Sequence, residues 1–189
     1  MMPVATSADL AATAGIGEIL AAQAAAFLAV LLAATAAHKG LHRERTLRAV
    51  REFAGLPASA APAAAILAGA VEVSAAVLLI IPIYRVVGAL LAAIVLTVYL
   101  ILIVRSLSAG RRDVDCGCTF GQTRHSLGAF DVARNAVLVV MALGVAASAA
   151  RGGSVIAGSQ MIAAVALLAL YVALDQVMGV QPMRRGTVL

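Results

Sequence analysis

The sequence predicts an all-α polytopic membrane protein, a bundle of five long apolar helices. Three observations carry that expectation. The 189 residues are 63% hydrophobic and 12% charged, with a mean hydropathy of +1.03, which leaves too little polar surface for a soluble domain of this size. Several apolar runs approach or exceed the roughly 20 residues that cross a bilayer as a helix. Most of the Lys and Arg residues fall in short stretches between those runs.

Taken in order, residues 1–15 are small and polar, with one acid and no Lys or Arg, and are expected to be disordered. They lack the basic n-region of a signal peptide, so the first span, residues 16–37, is expected to remain as a helix. After it, Leu47, Val50, Phe53 and Ala54 recur at helical spacing with Arg43, Arg45, Arg48 and Arg51 interleaved. That pattern predicts a short amphipathic helix lying in the membrane interface. Leu56-Pro57 ends it, and Pro62 opens the second span, residues 60–83, where a helix tolerates proline. Only the Pro82-Ile83-Tyr84-Arg85 turn separates that span from the third, residues 86–104, so the two form an antiparallel hairpin. The fourth span covers residues 127–149 and the fifth residues 155–178. Residues 16–178 are expected to form one transmembrane domain, with residues 179–189 as a tail.

Charge orients this chain. With five spans, the stretch after the first span, the stretch before the fourth with Arg134 just beyond it, and the tail all lie on one face. They hold twelve of the 14 Lys and Arg residues, and the other face has Arg85 and Arg151. The positive-inside rule then puts the N-terminus outside and the more basic face in the cytoplasm. The net charge of +5 therefore reads as membrane orientation and attraction to anionic lipid, not as nucleic-acid binding. Lys39 is the single lysine and alanine is abundant, which points to a GC-rich bacterial genome and hence a bacterial plasma membrane.

The stretch between the third and fourth spans holds Asp115-Cys116-Gly117-Cys118, the only two cysteines of the chain. The thiolate is the reactive form of cysteine, and nearby cations favour it. Arg111, Arg112 and Arg124 are close in sequence, while His38, Lys39 and His42 return to the same face. A Cys-x-Cys disulfide closes a small ring, for which Gly117 supplies backbone freedom. A strained ring of this kind is easily reduced and suits exchange. Three readings stay open: a thiol–disulfide pair, a copper or zinc site built from Cys116, Cys118 and His125, and inert thiols in a loop.

Among the spans, Glu72 lies near mid-bilayer, where an ionisable side chain is costly and calls for a partner. Arg134 and Asn135 lie about two turns into the fourth span. The expected pairing is Glu72 with Arg134, either as a bundle lock or lining a pocket open to protons or to a quinone. His38 and Lys39 end the first span, either as interfacial anchors or as cations that favour thiolate. Glu18 and Asp175, near span ends, need no special role, and Tyr84, Tyr99 and Tyr171 read as interfacial or packing residues. Gly69, Gly88 and Gly144 offer close helix contacts to a partner subunit, as in a non-catalytic member of a membrane complex.

Several of these residues together resemble the MauE family within the wider DoxX-like group. They are His38-Lys39, the run Arg48-Ala49-Val50-Arg51-Glu52-Phe53 leading to Leu56-Pro57, Glu72, Asp115-Cys116-Gly117-Cys118 with Phe120-Gly121, and Arg134-Asn135. One departure is Thr119, which stands where the family has Phe-Gly directly after the second cysteine. The resemblance implies a four-helix DoxX-like core, here with a fifth C-terminal span. It also implies a role in redox maturation of other proteins: in methylamine metabolism such proteins serve a disulfide-rich dehydrogenase subunit beside a thioredoxin-like partner. That client is exported, whereas the charge distribution turns the cysteines toward the cytoplasm.

Overall fold

The structure, a computed structural model, describes residues 7–111, 127–152 and 155–180. Six helices follow one another: α1 (Ser7–Leu41), α2 (Arg43–Ala54), α3 (Ala61–Ile80), α4 (Arg85–Ser108), α5 (Ala129–Ala149) and α6 (Gly158–Val180). A single 3₁₀ turn, Pro82–Tyr84, joins α3 to α4. No strand occurs among the described residues. Five stretches are long and apolar enough to cross a membrane: Gly15–Leu41, Ala61–Ile80, Pro82–Ser108, Ala129–Ala149 and Gly158–Val177. Helix α1 begins at Ser7, and the Ala-rich stretch from Ala11 favours helix.

The core is built from small side chains. Ala25, Ala26, Ala29, Ala75, Ala89, Ala92 and Ala142 are buried among Leu28, Leu32, Leu79 and Leu138. The outer faces are just as apolar, with Ile66, Leu67, Ile94, Ile101, Val140 and Leu170 exposed. Helices apolar on all sides suit a bilayer, where small interfacial residues let backbones approach for dispersion contact. Gly88 is the tightest such contact: a Cβ there would lie 2.6 Å from the Leu79 nitrogen and 2.7 Å from the Leu78 carbonyl carbon. Gly88 thus seats α4 on α3 within this chain. Gly69 and Gly144 face open space instead.

The order of packing positions everything that follows. α1 lies against α3, α5 and α6, while α4 lies against α3 and α5. Outermost is α6, held to α1 by an edge-to-face contact of Phe27 with Tyr171 at 6.0 Å and by Gln23 donating to the Gln160 carbonyl at 3.3 Å.

Between α1 and α3 runs α2, which buries Thr46, Ala49 and Phe53 and exposes Arg43, Arg48 and Arg51. The Thr46 hydroxyl lies 3.2 Å from both the Lys39 and His42 carbonyls, tying α2 to the end of α1. Gly55, at φ +66°, ends α2 in the left-handed conformation that glycine adopts without penalty. At the start of α5, the Gly128 N–H donates to the Asp131 carboxylate at 2.9 Å, satisfying a helix-terminal donor and placing an anion where the helix dipole favours it.

Candidate functional site at the α2 end of the bundle

Among the described residues, buried ion pairs form at Glu72 and at Arg134, and neither is the Glu72–Arg134 pair expected from the sequence. Glu72 on α3 is fully buried and its Oε1 is ion-paired to the Lys39 ammonium from α1. The Tyr99 hydroxyl from α4 donates to the same oxygen. Lys39 also lies 3.1 Å from the Tyr99 oxygen and 4.9 Å from the centre of its ring. Arg134 on α5 instead contacts Asp175 of α6 through Nη1. Its Nη2 stands 3.5 Å from Asp131 one turn earlier, and its guanidinium carbon lies 5.5 Å from the Tyr171 ring centre. Asn135 donates to the Asp131 carbonyl at 3.1 Å.

Packing order explains the exchange of partners. Helix α3 packs on α1 and α4, so Glu72 meets groups from those helices, while α5 and α6 both pack on α1 and reach each other through Arg134 and Asp175. Each carboxylate is matched by a cation from another helix, which offsets two desolvation costs at once. Tyr99 and Asp175 are functional-looking residues that the sequence reading passed over. A signal existed for both. Tyr99 lies within an apolar run, and buried tyrosine hydroxyls usually have a partner. Asp175 lies deep enough in an antiparallel fifth span to share a level with Arg134.

Lys39 is accordingly the counter-charge of Glu72, rather than an open interfacial anchor. Beside it, the rings of His38 and His42 lie 4.5 Å apart and tilted by 53°, where α1 hands over to α2. Cys116, Cys118 and His125 lie outside the described residues. The chain on either side of them is described. Arg111 donates from Nη1 to the Glu52 carbonyl of α2 at 3.0 Å. Leu127 is buried with Phe53 of α2 and Ile103 of α4. Both flanks of the cysteine segment thus rest on α2. Among the described residues, no group of three His, Cys, Asp or Glu side chains is arranged to hold a metal ion.

Five bilayer-length helices around an alanine-rich core, with two buried ion clusters and an arginine-rich amphipathic helix at one end, define a polytopic helical membrane protein. The family model described as methylamine utilisation protein MauE matches residues 17–148, and the chain belongs to that family. It is 35% identical over 148 residues to methylamine utilization protein MauE of Paracoccus versutus, covering 77% of this chain and 80% of that protein. The protein of that name from Methylophilus methylotrophus is 32% identical over 160 residues, covering 82% and 84%. The one from Paracoccus denitrificans is 34% identical over 120 residues, covering 64% of each. No solved structure matches the chain. The matched residues run from α1 through α5; Asp175, on α6, lies beyond them.

Proposed function

We propose that this protein performs or assists thiol–disulfide exchange at the membrane, with Cys116 and Cys118 as the exchanging pair, in the maturation of a redox enzyme. One observation carries the reading: Arg111 and Leu127, which bracket the cysteine segment, are both seated on α2. Arg111 and Leu127 put the two ends of that segment at the α2 end of the bundle. Arg111 and Arg112 closely precede Cys116 in the sequence, and cations near a thiol favour thiolate.

In the exchange, the two thiols give two electrons and two protons to a disulfide of a thioredoxin-like partner. The bond between Cys116 and Cys118 forms as the partner's disulfide opens to two thiols, and a dithiol of a second protein then returns two electrons and two protons to the pair, leaving with a disulfide of its own. His38 and Lys39 are positioning residues here: Lys39 fixes the end of α1 through Glu72, and His38 packs where α2 begins. The basic face is the cytoplasmic one under the positive-inside rule, with the N-terminus outside. Methylamine utilisation, the setting named for the relatives, is the process this exchange serves.

Cys116→Ser and Cys118→Ser test the reading. Each variant is expected to insert at the wild-type level and to lose maturation of the client. One of them is expected to accumulate a mixed disulfide with the partner. Full activity in both variants would contradict the proposal, and stoichiometric copper or zinc in the purified protein would replace it with a metal-handling role.

A further inference from the structure

Next to the Lys39–Glu72 pair, α1, α2 and α3 enclose a groove of about 210 Å³ that the exchange chemistry does not use. Its floor is made of small residues on facing turns, including Gly40 of α1 and Ala65 and Gly69 of α3. A Cβ added at Gly40 or Gly69 would meet nothing within 4 Å. Ile66, 69% exposed, forms a lipid-facing wall. The groove's other end holds Lys39 and Arg43, with Thr46 between α1 and α2.

The groove therefore has two chemistries at two depths. Arg43 opens α2 at the end of the spans, at the level of lipid headgroups. Gly69 lies eight residues into α3, about 12 Å along the span from its start by helical rise, at the level of acyl chains. Helix α2 carries four arginines against two glutamates, and its Leu47 flank turns into the same groove. Lys39 is already matched by Glu72, so the charge available to a ligand is that of Arg43. A cation over an apolar slot is complementary to an anionic headgroup with an acyl chain.

We propose that this groove is a binding site for one anionic phospholipid, its phosphate against Arg43 and one acyl chain along Ala65, Ile66 and Gly69. The site is independent of the cysteine chemistry. It gives α2 a lipid-dependent hold on α1 and α3.

Native mass spectrometry of the full chain in detergent tests it, with phosphatidylglycerol and phosphatidylcholine of equal acyl length as the probes. Phosphatidylglycerol is expected to be retained as a single adduct, and phosphatidylcholine much less. Arg43→Gln should weaken the phosphatidylglycerol adduct about fivefold, the scale of one basic residue near a membrane surface. Gly69→Leu should remove it by filling the slot, while Arg48→Gln, on α2 but outside the groove, should leave it unchanged. Far-ultraviolet circular dichroism checks that each variant is folded; if Gly69→Leu fails that check, Gly69→Val fills part of the slot in its place. Equal retention of the two lipids would overturn the proposal. So would an Arg48→Gln loss equal to that of Arg43→Gln, which would mean a diffuse basic surface, or an undiminished adduct in the folded slot-filling variant.

Discussion

Lys39, the last cation of α1, turns into the bundle and neutralises Glu72 of α3, and Tyr99 of α4 completes the contact. One buried cluster thereby joins three spans at the end of the bundle where α2 lies. Removing one member of such a pair leaves the other charge stranded, whereas removing both does not. Glu72→Gln and Lys39→Met are each expected to destabilise the folded protein by about 3 kcal/mol. The double variant should recover most of that loss. Thermal unfolding in a fixed detergent measures it, and additive losses would show that the pair is not coupled.

Tyr99→Phe removes one hydroxyl and keeps the ring beside Lys39. A loss of about 1 kcal/mol is expected, the scale of one hydrogen bond to a partly compensated group. The same unfolding assay reads it. A loss as large as that of Glu72→Gln would make Tyr99, not Lys39, the principal partner of the carboxylate.

Asp175→Asn should act on α6 alone. That helix packs on α1 and meets α5 through the Arg134–Asp175 ion pair. Hydrogen exchange in bilayer discs is expected to quicken along α6 while α3 and α4 stay protected. Uniform loss of protection across all spans would show that the pair supports the whole bundle.

Gly88 and Gly69 make opposite predictions from the same residue type. Gly88→Val drives a side chain into the α3 backbone and is expected to abolish a stable monodisperse protein, because backbone cannot yield as a side chain can. Gly69→Ala enters open space and should change stability little. Size-exclusion chromatography after detergent extraction separates these outcomes, and wild-type behaviour of Gly88→Val would contradict the close packing of α3 on α4.

The bundle was legible in the sequence because length and apolarity alone decide what crosses a bilayer. The amphipathic α2 was equally plain, since Leu47, Val50 and Phe53 repeat at helical spacing among arginines. Pairing was not legible. Which cation meets Glu72 depends on which helices are neighbours, and five uniformly apolar spans carry no pattern that orders them. Asp175 read as a bland span-end acid for the same reason, although Arg134 called for a carboxylate at its level.

The central claim is that Cys116 and Cys118 open and close as one redox pair on the cytoplasmic face. Counting maleimide mass tags on the full chain tests it most directly, in intact and in permeabilised cells, after a mild thiol oxidant or after reduction. The account predicts no tag in intact cells under either treatment. In permeabilised cells it predicts no tags after oxidation and two after reduction, with no singly tagged species accumulating. Two tags under both treatments, or tagging of intact cells by an impermeant reagent, would contradict it.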